Sequence, residues 1–228
     1  MHLLSSLVHL FYPHTCDGCG RDLVRTENIL CLRCLRRLPA TGFQRWDRNP
    51  VEKIFWGRVS IHHAMAAYYF TRASVLQRLI HQFKYHRRRD IALHLGRQTG
   101  HQLLQSEWLY EIDCIVPVPL HRAKERHRGY NQAAVLAGGI AEIVGRPLLP
   151  HAMRRTAYAD SQTRKGRVSR WENVEGAFTV REPAALRGRH VLLVDDVITT
   201  GATSEACSQA IIDAQASVSI CALAFANN

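Results

Sequence analysis

The chain has 228 residues, 46% of them hydrophobic and 21% charged, which is enough for a substantial core with an appendage. Its formal charge of +11 at pH 7 points to an anionic partner: a phosphorylated metabolite, nucleic acid or an acidic membrane surface. No run reaches the ~18 consecutive apolar residues of a membrane span. The opening "MHLLSSLVHLFYPHTC" is mildly apolar but lacks the basic leader and small-residue cleavage site of an export signal. It is expected to form a short amphipathic helix on its own domain, and the protein is expected to be cytoplasmic.

Residues 1–45 are rich in cysteine, arginine and turn residues. "CDGCG…CLRC" gives Cys16-x2-Cys19, eleven intervening residues, then Cys31-x2-Cys34. Each pair can grip one side of a tetrahedral Zn²⁺, with Gly18 and Gly20 easing the first turn. Redox pairs or core thiols are the alternatives. Four thiolates leave no open position for water, so the expected zinc is structural. Cys114, Cys207 and Cys221 lie in apolar contexts and are expected to be reduced core residues.

The middle section, 46–112, carries a strand candidate, "AMAAYYF". Two helix candidates follow, "ASVLQRLIHQFKYH" and "IALHLGRQTGHQLLQ", with apolar residues at three- and four-residue spacing. "FKYHRRRD", Phe83–Asp90, places a basic cluster at a helix end, where cations complement the dipole. His62 and His63 have no partner spacing and are expected to be surface or hood residues and not metal ligands.

From 113 to 228 the pattern alternates. The strand candidates are "CIVPV", "AFTV", "HVLLVD" and "SVSICALAF", with helices starting near Gly129 and Thr203. Such alternation predicts an α/β fold, a parallel sheet with helices on both faces. Ligands bind beyond the carboxyl ends of such strands, which is where "VLLVDDVITTGATSEACSQAI" places its polar residues. Val191–Val194 predict a buried central strand, Asp195 and Asp196 emerge at its end, and Thr199, Thr200, Gly201, Ala202 and Thr203 turn into a helix. N–H groups at that helix start favour a phosphate, and Gly201 permits close approach. Two carboxylates beside a phosphate site suit the vicinal hydroxyls of a ribose, so the stretch describes a ribose 5-phosphate pocket.

"VLLVDDVITTGAT" resembles the phosphoribosyl pyrophosphate (PRPP) signature of type I phosphoribosyltransferases, with Ala202 in place of the usual second glycine. "LLVDD" also opens receiver domains, but only ~30 residues follow it where such a domain needs ~100. The G-x-x-x-x-G-K-[ST] loop of nucleotide-binding proteins is absent.

A PRPP enzyme needs a second cradle, for pyrophosphate. "IVPVPLHRAKERHRGYNQAA", Ile115–Ala134, is the candidate. Pro117 and Pro119 stiffen the exit through Leu120 and His121, and Arg122, Lys124, Arg126 and Arg128 supply charged donors. Gly129 is expected to open a helix with Tyr130, Asn131 and Gln132 in its first turn. A solvated basic loop is the bland alternative. Between Met153 and Gly176 lies a long basic segment of lid length. The phosphoribosyltransferase resemblance implies that it closes over PRPP and delivers cations to the leaving pyrophosphate, with Arg164, Lys165, Arg167 and Arg170 as candidates. A nucleic-acid patch would look the same in sequence.

Together the cysteine module, "PVPLHR…RGYNQA" and "LLVDDVITTGAT" resemble the ComF family, which includes the ComFC and GntX proteins. The resemblance implies a zinc finger on residues 1–45, a hood or linker on 46–112, and a type I phosphoribosyltransferase core on 113–228. It implies PRPP with Mg²⁺ as ligand and a role in DNA uptake and competence, with single-stranded DNA and other competence proteins as partners. Asp195, Asp196, Arg164 and Lys165 would act in catalysis, if catalysis occurs; a PRPP-sensing module without catalysis is the alternative.

Overall fold

A computed structural model describes residues 14–24, 26–156 and 177–226. The opening helix candidate and the basic run Arg164, Lys165, Arg167 and Arg170 lie outside the described residues. In chain order come α1 (Leu32–Leu35), α2 (Pro50–Phe55), β1 (Ala64–Tyr69), α3 (Val75–Tyr85), α4 (Arg89–Leu103) and β2 (Cys114–Pro117). There follow α5 (Arg122–Arg128), α6 (Gln132–Val144), β3 (Met153–Arg155), β4 (Phe178–Val180), α7 (Pro183–Leu186), β5 (His190–Ile198), α8 (Ala202–Asp213) and β6 (Ser217–Phe225).

Four strands form one sheet in the order β1-β6-β5-β2, and every pairing is parallel. Val191 through Val194 are all buried in succession. A strand with both sides buried is covered on both faces, so the fold is α/β as the alternation predicts. β1, from the middle section, is the edge strand of this sheet. Segment 41–49 is tied to it: Thr41 Oγ1 donates to Ala66 O, and Asn49 Nδ2 donates to Ala64 O at 2.7 Å.

Helix α3 follows from its spacing. Leu76, Leu79, Ile80 and Phe83 form its buried stripe, and Ser74 Oγ caps it by accepting from Gln77 N. Helices α4 and α6 cross with their backbones almost touching. A Cβ on Gly96 would sit 2.3 Å from Leu136 O, and one on Gly139 would sit 2.4 Å from Leu93 O. Gly96→Ala is therefore expected to force the helices apart and cost ~1–3 kcal/mol. In a chain of this size that lowers the melting temperature by roughly 2–4 °C per kcal/mol. An unchanged thermal melt would show that the crossing yields freely.

Three expectations need correction. The "AFTV" segment does not join the parallel sheet; Phe178–Val180 pairs antiparallel with Met153–Arg155. Only Phe178 is buried, with Thr179 and Val180 half-buried, which is not the pattern of a doubly covered strand. The segment after His121 is helical and not a loop, and the next helix begins at Gln132 and not Gly129. "RAKERHR" is made of good helix formers, started by His121 Nδ1 accepting from Ala123 N and stopped by Gly129 at φ 83°. Finally, β5 does not end before the acids. It runs to Ile198, with Asp195 opposite Ala222 and Val197 opposite Ala224.

Candidate functional site

The acid pair thus sits inside a central strand and not beyond its end. Asp195 and Asp196 are both half-buried. Asp195 Oδ1 accepts from Asp196 N at 2.7 Å, and its Oδ2 accepts from Ser204 Oγ at 3.5 Å. Burial, reinforced by the neighbouring Asp196 charge, pushes the Asp195 carboxyl up to about 7 against the pull of these bonds and of Lys84. Lys84, at the end of α3, places Nζ 2.7 Å from Asp196 Oδ2. The sequence hid this partner inside the cluster "FKYHRRRD". Lys84 was legible there as a helix-end cation but not as the counter-ion of an aspartate 112 positions away.

The turn after β5 exposes Thr199 and Thr200, while Gly201 is buried at φ 76°. A Cβ there would sit 2.7 Å from Ile54 Cγ2, so only glycine fits both the angle and the space. Gly201 is also the N-cap of α8, with no side chain capping the first turn. The N–H groups of Ala202 and Thr203 are thus left to an outside acceptor, as a phosphate cradle requires. Arg58, missed in the sequence, braces this turn. It donates to Thr200 O at 2.9 Å and Ile54 O at 3.0 Å, and pairs with Glu205. That ion pair offsets the one acidic side chain in the first turn of α8.

In the turn between α5 and α6, "RGYNQ" fixes the local geometry. Tyr130 Oη donates to Phe83 O. Asn131 Nδ2 donates to Val118 O at 3.0 Å while its Oδ1 accepts from Ala133 N, capping α6. Val118 N in turn donates to Val194 O at 2.8 Å, which ties this loop to the strand of the acid pair. Pro119 is buried, Leu120 and His121 are half-buried, and Arg122 and Arg126 line an open depression of about 410 Å³ with Glu125 and Gly129. Arg128 turns elsewhere: its Nη1 donates to Gln132 Oε1 at 2.9 Å, and its guanidinium lies over Tyr85 at 5.6 Å. Arg89 lies over the Tyr130 ring at 5.3 Å. The basic clusters 84–89 and 122–128 therefore lie side by side.

The four amino-terminal cysteines converge, with all their sulfurs within 4.8 Å of one another. Cys16 Sγ accepts from Gly18 N at 3.4 Å and Cys31 N at 3.2 Å, the backbone support a thiolate needs. Burial works against the Cys16 thiolate, but the backbone bonds from Cys31, Gly18 and Cys19 prevail and bring the thiol down to about 7. Four soft donors at this separation fit one tetrahedral zinc ion. Cys114, Cys207 and Cys221 are buried and free, as expected.

A parallel α/β sheet with an acid pair and an uncapped glycine turn on its central strand, joined to a four-cysteine cluster, defines the class. A scan of family models finds no match to the chain. Among curated proteins it is similar to the DNA utilization protein YhgH of Escherichia coli K12, at 32% identity over 212 residues, 86% of this chain and 83% of the relative. It is also similar to Competence protein F of Haemophilus influenzae, at 28% over 84% of this chain and 75% of that one. The chain belongs to the ComF family. Among solved structures it is similar to a glutamine PRPP amidotransferase from B. subtilis, at 20% identity and a TM-score of 0.43 over 62% of this chain. It spans only 30% of that enzyme. An adenine phosphoribosyltransferase from Thermoanaerobacter pseudethanolicus is 14% identical with a TM-score of 0.40, over 77% of this chain and 99% of that one. No helix among the described residues is long and apolar enough to cross a membrane.

Proposed function

We propose that the protein is a Mg²⁺-dependent, PRPP-binding phosphoribosyltransferase-like protein that acts in the cytoplasm in DNA uptake and competence. The observation that carries this reading is the acid pair on β5 followed at once by the uncapped Gly201 turn. In this reading Asp195 and Asp196 accept the two ribose hydroxyls, and residues 199–203 hold the 5-phosphate. Lys84 keeps the pair from carrying two uncompensated charges. Arg122 and Arg126 take the pyrophosphate, helped by Arg164 and Lys165. Mg²⁺, when bound, supplies charge neutralisation at the pyrophosphate. An active enzyme of this kind transfers the ribose C1 from pyrophosphate to a nitrogen nucleophile through an oxocarbenium-like transition state. Residues 1–45, 46–112 and 113–228 would serve as zinc module, hood and catalytic core, with the middle section also lending β1 to the core sheet. Calorimetric titration with PRPP and Mg²⁺, followed by an acceptor screen, tests the reading; no heat of PRPP binding would reject it.

A second reading, a PRPP sensor that binds single-stranded DNA or a competence protein without catalysis, draws on the meeting of the two basic clusters. The names of the relatives point the same way. If those clusters hold single strands, affinity is expected to fall with salt at a slope of ~0.7 per phosphate contact. Binding insensitive to salt would remove them as the DNA surface. Competition by PRPP would place both ligands in one cleft.

A further inference from the structure

All four strands of the sheet run parallel, so they share one amino-terminal edge, opposite the acid pair. Three potential metal ligands from three separated segments meet at that edge. His62 lies two residues before β1, Glu111 three residues before β2, and His190 is the first residue of β5. One ligand atom from each lies within 4.8 Å of the others. His190 Nδ1 is 3.7 Å from Glu111 Oε2, and the His62 and His190 rings stand 4.6 Å apart. Donors placed 2.0–2.2 Å from a shared tetrahedral ion lie roughly 3.3–3.5 Å from one another. The observed separations need only a small closure, and His62 and Glu111 are exposed side chains free to make it.

The surrounding bonds are those of a ligand held in place. His190 is buried, and its other ring nitrogen, Nε2, lies 2.9 Å from Ser219 Oγ. With Nε2–H donating to that hydroxyl, Nδ1 is left as the lone-pair donor, the outer-shell support that metal-ligating histidines have. The backbone is fixed too: His190 N donates to Asp113 Oδ2 at 2.8 Å, and His62 N donates to Val218 O at 2.9 Å.

We propose that His62, Glu111 and His190 form a second metal site, for a divalent transition ion of the zinc class, at the amino-terminal edge of the sheet. Two imidazoles and one carboxylate suit zinc, and three protein ligands leave a position for water. Asp195 lies five residue steps along β5 from His190, a span of ~17 Å, so the site is distinct from the acid pair. An ion there ties the entries of β1, β2 and β5 together.

Equilibrium dialysis of the zinc-loaded full chain against Zn²⁺ tests the proposal. The wild-type protein is expected to take up one further ion per chain beyond the four-cysteine site, with a rise in melting temperature. His62→Ala and Glu111→Gln, both at exposed positions, are each expected to abolish that uptake and that rise. Ser219→Ala, which removes the support of His190 Nε2 and the acceptor of His63 N, is expected to weaken the uptake about 10–100-fold. The difference between wild type and His62→Ala does not depend on the loading of the cysteines. Absence of a further ion would overturn the site. Uptake left unchanged in both exposed variants would also overturn it, by assigning the ion to scattered histidines.

Discussion

Cys31→Ser is expected to strip zinc from the amino-terminal module and loosen it while the parallel sheet stays folded. Cys31 is buried, and its sulfur lies 3.7 Å from that of Cys19 at the centre of the cluster. Binding of structural zinc is worth ~10–16 kcal/mol in small finger peptides, far more than the few apolar residues beside it, Ile29, Leu30 and Leu38, can replace. The module also leans on the rest of the chain. Arg88 pairs with both Asp17 oxygens at 2.7 Å, and Arg78 donates to Gly18 O at 2.6 Å. A Cβ on Gly18 would meet Cys34 at 2.9 Å and Val75 at 3.1 Å. Loosening is therefore expected to reach the turn between α3 and α4 and to stop there. Elemental analysis should find about one zinc in the wild-type module, and hydrogen exchange in the variant should rise over residues 14–38 but not over β5 and β6. Wild-type protein prepared without chelators and lacking zinc would defeat the prediction, as would loss of protection throughout the sheet.

The reach of that change was not legible in the sequence, and the reason is general. Local patterns were readable: the cysteine spacing, the stripe of α3, and the apolar runs of β5 and β6 all fold as their periodicity implies. Partnerships across the chain were not. Nothing in "GRVSIHH" marks Arg58 as the brace of the turn at Thr200, because a guanidinium 142 positions away leaves no periodic trace. The same holds for Lys84 and Asp196. "AFTV" misled because three residues cannot declare which sheet they join. The segment after His121 misled differently: its charges suggested an anion-binding loop, although arginine, alanine, lysine and glutamate all favour helix. The close approach of α4 and α6 was visible only as Gly96, Gly100 and Gly139, whose meaning depends on which helix lies opposite.

The acid pair brings the largest expected change in ligand binding, and its two members should behave differently. Asp195→Asn with Asp196→Asn is expected to abolish PRPP binding. Each lost charged hydrogen bond to a ribose hydroxyl costs ~1.5–3 kcal/mol, or roughly ten- to a hundredfold in affinity. For stability the sign follows from the shifted carboxyl. Burial and the adjacent Asp196 raise Asp195 from 3.8 to about 7, so the folded protein resists its ionisation. The penalty is absent below about pH 4, where the group is protonated whether the chain is folded or not. It grows as pH rises and is full above about 7. Asp195→Asn removes it, so the variant should match wild type at pH 4 and melt higher at pH 8. Asp196→Asn should instead melt lower than wild type at pH 8, since it leaves the mostly buried Lys84 without its carboxylate. Thermal melts of the single variants across pH 4–8, beside calorimetric titration with PRPP and Mg²⁺, measure both effects. Unchanged PRPP affinity in the double variant would reject the pocket. A lower melting temperature for Asp195→Asn at pH 8 would make that carboxylate a structural group and not one held ready for a ligand.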